Sequence, residues 1–219
     1  MGILSDEETA EDEHLRRSRS VWDRRSDSYE RDERELAPMR RTAIDYLDLD
    51  PGDRVLEIGC GPGVNFEQIA SEIGDEGELI AVDYSPQMVE AARDRIEEHG
   101  WETVEVRRAE ATSADLGPGF DAVVATLSMS VMPDARRAVE NAYDALAEDG
   151  SLVVFDVRTV PRGPARIVNP LLGRLLAWYA NWNPDGDVVE AVQSVFDESE
   201  VVETYALGVS YTLLARKRA

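Results

Sequence analysis

The chain has 219 residues, 43% of them hydrophobic, which is enough for one domain with a sizeable core. Its 45 acidic residues outnumber its 23 basic ones, giving a formal net charge of −22 at pH 7, a sign unsuited to general nucleic-acid binding, which neutralises phosphates with cations. A single cysteine, Cys60, excludes a disulfide framework and a cysteine-based metal site.

The acids are spread rather than gathered in a tail, with Glu67, Glu72, Asp94, Glu97, Glu140 and Asp144 all in predicted helices, and only Lys217 among the bases is a lysine. Self-repulsion on such a surface is relieved by screening, so a salt-adapted, halophilic protein is expected. No apolar run is long enough and free enough of charge to cross a bilayer, and the first six residues lead into acids rather than into a signal-peptide core. A cytoplasmic location is expected.

In chain order, residues 1–15 are polar and acidic and are expected to form a disordered leader, with His14 inside it. Ile44, Tyr46, Leu47 and Leu49 predict a helix before the first strand. Val55-Leu56-Glu57-Ile58 is an apolar strand that breaks into Gly59-Cys60-Gly61-Pro62-Gly63, and 64–73 then reads as a helix ending at Gly74. Glycines at this spacing let the backbone turn sharply and let a ligand approach main-chain N–H groups. A dinucleotide fingerprint would need glycine where Val64 stands, and no Gly-Lys-Ser/Thr follows to make a phosphate loop.

The apolar run 79–82 ends in Asp83, about 20 residues on, where a strand-end site wants an acid for ribose hydroxyls. The plainer alternative for Asp83 is an acid favoured by the next helix's dipole, and for Glu57 a strand-end residue. Ser85 and Pro86 predict the N-cap and first position of a helix whose apolar face is Met88, Val89, Ala92 and Ile96, stopping at His99-Gly100. His99 thus reads as a helix-end residue rather than a base. Strands are predicted at 103–106, 120–125 and 151–157, with Asp134 capping a helix through Ala147 between the last two. Two runs, 201–206 and 209–216, flank Leu207-Gly208 as a hairpin. Strands alternating with helices imply a mainly parallel sheet.

The stretch from Val55 to Gly63 resembles the first motif of class I S-adenosylmethionine-dependent methyltransferases, loosely nearest the quinone C-methyltransferase and phospholipid N-methyltransferase-like group. The resemblance implies an α/β fold, a Rossmann-like seven-stranded mainly parallel sheet with one reversed strand and helices on both faces. It implies S-adenosyl-L-methionine as cofactor, held by Glu57, Gly59, Cys60, Gly61 and Gly63, then by Asp83 with Tyr84 and Met88. Glu110 and Ala111 would sit beside the adenine, and Thr126 opens a loop expected to border the transferring methyl.

Trp22 and Tyr29 are candidates for a lid, or for ordinary helix packing, and Met129 is a substrate-side candidate. With no histidine well placed, Asp156 and Tyr29 remain as candidate general bases, if the acceptor must lose a proton at all. The loop after the fourth strand lacks the Pro-Pro-aromatic signature of adenine-N6 and glutamine methyltransferases, and one cysteine weighs against arsenite-type enzymes. The expected activity is methyl transfer to a small or lipid-like acceptor of quinone or phospholipid type. The alternative is a non-catalytic regulatory or scaffold protein that binds the same cofactor.

After the leader, 16–219 is expected to be a single domain: lid helices at 16–50, the cofactor-binding core at 51–157, an acceptor-side insertion at 158–198 and the closing hairpin at 199–219. Between Asp156 and Asp185 there is no acid, although Arg158, Arg162, Arg166 and Arg174 fall there beside Trp178, Tyr179 and Trp182. Two readings compete for 158–182. One is a cationic, apolar cover over the acceptor pocket, with Arg162, Arg166 and Trp178 facing the acceptor and a peripheral membrane contact. The other is a buried helix whose arginines pair with acids elsewhere.

Overall fold

The computed structural model describes the backbone of residues 4–23 and 36–218 and the side chains of 12–21 and 36–218. Its elements are α1 (Leu4–Asp23), α2 (Ala37–Asp45), β1 (Arg54–Ile58), α3 (Phe66–Ile73), β2 (Glu78–Asp83), α4 (Pro86–His99), β3 (Val104–Arg108) and β4 (Phe120–Thr126), followed by α5 (Ala135–Ala145), β5 (Leu146–Val157), α6 (Asn169–Ala180), α7 (Val188–Val195), β6 (Glu198–Tyr205) and β7 (Ser210–Arg216).

The seven strands form one sheet in the order β3-β2-β1-β4-β5-β7-β6. Strands β1 to β5 pair in parallel, and β7 runs antiparallel to both β5 and β6. The expected sheet with one reversed strand is present, and β7 is that strand.

Because successive strand residues point to opposite faces, the apolar runs split between two cores. Leu56, Ile80, Val123, Val154 and Leu213 pack on the side of α5 and α7. Val55, Leu79, Val124, Val153 and Phe155 pack on the side of α2, α3 and α4. Glu57 falls on the second face, two residues from Val55, and is wholly buried.

Local signals place the helix ends as expected. Ser85 Oγ accepts from Met88 N at 3.2 Å, and Gly100 closes α4 in the left-handed region. Asp134 caps α5 by accepting from Arg137 N at 2.9 Å. That helix stops at Ala145, short of the expected Ala147, because Leu146 already pairs with Phe120 ahead of a register shift.

The N-terminal expectation requires correction: α1 occupies Leu4–Asp23, where a disordered leader to residue 15 was expected. Glu13, Leu15, Arg16 and Arg17 are good helix formers, and Glu13 and Arg17 pair one turn apart. The helix is also anchored on the loop after β4. His14 Nε2 lies 2.8 Å from Val131 O, and Ser18 Oγ donates to the same carbonyl at 3.4 Å.

Candidate active site

Strand-end loops of β1, β2 and β4 meet at the carboxyl edge of the sheet, where open α/β sheets hold their ligands. The loop after β1 is stapled to β2, since Gly59 N and Cys60 N both donate to Val82 O, at 2.8 and 3.1 Å. Gly59, Gly61 and Gly63 all have positive φ, at 69°, 55° and 77°. A Cβ on Gly59 would stand 2.4 Å from Ser128 Cβ, and one on Gly63 2.4 Å from the Phe66 ring. These glycines let the loop fold tightly against its neighbours, with the N–H groups of Gly59, Gly61 and Gly63 all hydrogen-bonded within the protein.

Asp83 ties the second loop to the first. One carboxylate oxygen accepts from Gly61 N at 2.9 Å and the other from Ser85 N at 2.8 Å. Its carboxylate stands on the cleft wall. Ser128 Oγ donates to Ile58 O at 2.8 Å, tying the β4 loop to the end of β1.

These loops border a half-open cleft. Of the residues expected to hold a cofactor, Gly59, Gly61, Asp83, Tyr84, Met88, Glu110 and Ala111 line it. Glu57, Cys60, Gly63 and Thr126 do not: they lie behind the loop, where burial has other consequences.

Glu57 Oε1 accepts from Asn65 Nδ2 at 2.7 Å, and the same amide reaches Thr126 Oγ1 at 3.0 Å. Its Oε2 is buried without a hydrogen-bond partner among the described residues. Burial pushes this carboxyl up to about 8, against the pull of Asn65 and of the Arg40 charge. Cys60 is buried, and burial, with the Asp83 and Glu57 charges adding to it, pushes its thiol well above the usual range. A thiol so held is inert. The Glu110 carboxylate is engaged in its own turn, accepting from Thr112 N at 3.0 Å and from the Ser113 hydroxyl. That leaves its residue, more than its charge, at the cleft wall.

Of the remaining candidates, Asp156, Met129, Arg162, Arg166 and Trp178 are not among the residues that line the cleft. Asp156 is wholly buried at the end of β5. It accepts from Ser130 N at 2.9 Å, Ser130 Oγ at 2.6 Å and Val157 N at 2.8 Å. Burial pushes its carboxyl up to about 6, opposed by those hydrogen bonds. It acts as a brace for the loop whose next carbonyl, Val131 O, carries α1. Met129 is fully buried in the core, and Arg162, Arg166 and Trp178 are exposed away from the lining. The Trp22 side chain and Tyr29 lie outside the described residues.

Sequence reasoning expected lid helices at 16–50, which hold Ser18 and Arg19, but named neither of them nor the rest of the cleft rim. Leu15, Ser18 and Arg19 of α1 line the cleft together with Leu127, Val131, Met132 and Pro133. Positions 15, 18 and 19 share one helical face, and that spacing was the available signal. Leu127 takes φ 54°, an uncommon conformation for a leucine, at the sharp exit from β4.

Comparison with known proteins agrees with this architecture. Residues 55–150 match the methyltransferase domain family. The chain is 28% identical over 202 residues to aklanonic acid methyltransferase DauC of Streptomyces sp. (strain C5), covering 89% of this chain and 91% of that one. It is 31% identical over 151 residues to phosphatidylethanolamine N-methyltransferase of Cereibacter sphaeroides, covering 67% of this chain and 71% of the relative. A crystal structure of a SAM-dependent methyltransferase from Thermotoga maritima shares the fold, with a TM-score of 0.69 at 22% identity over 92% of this chain and all of that one. The chain belongs to the S-adenosylmethionine-dependent methyltransferases, and S-adenosyl-L-methionine is its cofactor.

Proposed function

We propose that this enzyme methylates a small, lipid-like acceptor of quinone or phospholipid type. The observation that carries this reading is the division of the cleft into two kinds of wall. Gly59, Gly61 and Asp83 stand on one wall, whereas Leu15, Leu127, Val131, Met132 and Pro133, with Ser18 and Arg19 beside them, form a largely apolar rim. An apolar rim favours an acceptor that gains by leaving water.

The residues present fit the cofactor. Gly59 lets the loop close against Ser128 beside the cleft, and Asp83 puts a carboxylate, the kind of group that accepts from ribose hydroxyls, on the cleft wall. Met88, Ala109 and Ala111 offer a slot for the adenine. When bound, S-adenosylmethionine supplies a methyl group already activated by its positive sulfur. The residues of the chain then align the acceptor and exclude water, which accounts for much of the barrier reduction.

No histidine is among the described lining residues, the Asp83 carboxylate accepts from Gly61 N and Ser85 N, and that of Glu110 is hydrogen-bonded within its own turn. The test is to supply the enzyme with methyl-labelled cofactor and total lipid and quinone extracts. Label is expected in the organic phase; label confined to polar metabolites would refute the lipid-like acceptor.

A further inference from the structure

Helix α6 has no buried residue. It is not the buried helix that was one of the two readings of 158–182. Leu171, Leu175 and Trp178, at i, i+4 and i+7, are 75%, 53% and 77% exposed and share one face with Arg174. Ile167, in the turn just before the helix, is 85% exposed, with Arg162 and Arg166 exposed beside it. Among the described residues, none of Arg162, Arg166 and Arg174 is paired with a carboxylate. Arg158 does not belong to this face, because its guanidinium lies over the Tyr211 ring and donates to Gly208 O.

We propose that this face of α6 docks on an anionic lipid bilayer, with Leu171, Leu175 and Trp178 entering the interface and the three arginines meeting the headgroups. Charge complementarity selects that occupant. About one residue in five of the chain is acidic, yet 157–184 contains none. An anionic surface would repel the rest of the molecule and attract only this patch, which sets the orientation. A second copy is a poor match, since an isologous contact would bring arginine against arginine between two bodies of −22 each. An exposed helix carrying Leu and Trp on one face with flanking arginines has the composition of an interfacial helix.

The helix is fixed to the cleft rim, not tethered loosely. At its start, Asn169 both accepts from Val160 N and donates to Val160 O, each at 3.0 Å. At its end, Asn181 Nδ2 donates to Ser18 Oγ at 2.8 Å, and Asn183 Nδ2 donates to Met132 O and Pro133 O at 3.0 and 2.9 Å. Ser18, Met132 and Pro133 all line the cleft. Docking through α6 thus brings the apolar rim alongside the bilayer. The sense of this docking rests on the lipid-like-acceptor reading, but vesicle binding is measured without acceptor or cofactor, so each stands or falls by its own assay.

The experiment is flotation of the full chain with vesicles of phosphatidylglycerol and phosphatidylcholine, or of phosphatidylcholine alone. It is run at the lowest salt that keeps the protein folded and again in molar potassium chloride. Wild type is expected to float with the anionic vesicles, with a blue-shifted tryptophan emission that Trp178→Phe removes. Arg162→Glu/Arg166→Glu/Arg174→Glu should weaken the anionic preference by at least about 100-fold at low salt, and Leu171→Asp/Leu175→Asp should abolish flotation. Both variants should retain S-adenosylhomocysteine binding, which shows that they fold. Absence of flotation under every condition, or flotation indifferent to both variants, would overturn the proposal. So would a lipid-free dimer of the wild type that Leu171→Asp/Leu175→Asp dissolves, which would assign the face to a second copy.

Discussion

Replacing Glu57 with Gln should make stability less dependent on pH. In the folded chain burial holds this carboxyl near 8, against an ordinary value of 4.5. Folding therefore binds a proton in the window between those values. Stability from this group is complete below pH 4.5 and is lost as pH rises through 8. Each pH unit inside the window costs about 1.4 kcal/mol. The loss is then ~3 kcal/mol at pH 7 and ~5 kcal/mol by pH 9.

Glutamine cannot ionise, and its Oε1 can still accept from Asn65. Its N–H groups add an offset that does not depend on pH, so the slope carries the test. Urea unfolding of wild type and Glu57→Gln at constant molar salt, from pH 5 to 9, should show the variant gaining on the wild type as pH rises, with the gain flattening above 8. A difference between the two that stays level from pH 5 to 8 would refute the reasoning.

Other consequences follow from the same contacts. Gly59→Ala combines positive φ with a clash against Ser128, and should cost about 2–4 kcal/mol in urea unfolding and weaken S-adenosylhomocysteine binding. Gly117→Ala, also at positive φ but with open space around it, should cost only about 1 kcal/mol. Asp156→Asn removes one of the acceptors for Ser130 and Val157, and should destabilise by about 1–3 kcal/mol while leaving the pH profile of methyl transfer unmoved; a profile that loses its acidic limb would restore Asp156 as a base. The melting temperature should rise between low and molar potassium chloride, and an unchanged value would remove the inference of salt adaptation drawn from the −22 charge.

The sheet was legible because its strands, apolar on both faces, stand out as continuous runs such as 152–155, and because caps such as Ser85, Asp134 and Gly100 mark helix ends by local chemistry. The glycine loop and Asp83 were legible for a similar reason: their spacing is set by strand length and loop length alone. What escaped depends on tertiary contact. Helix α1 is polar along most of its length, and His14 and Ser18 attach it to a carbonyl more than 110 residues away, which no local pattern reports. Asp156 reads as a strand-end acid, equally fit to be a base or a brace, and only the converging donors of Ser130 and Val157 distinguish the two. Helix α6 carries enough leucine to resemble core, and its exposure follows from where Asn169 and Asn181 anchor its ends.

The central claim is that the loops of β1 and β2 form one cofactor cradle, closed by Asp83. Calorimetric titration of S-adenosylhomocysteine into wild type and Asp83→Ala, in molar potassium chloride, tests it most directly. The account predicts saturable binding by wild type, weakened by about 1.5–3 kcal/mol in the variant, the range for a hydrogen bond to a charged group. Equal affinity for the two proteins, or no binding by the folded wild type, would contradict it.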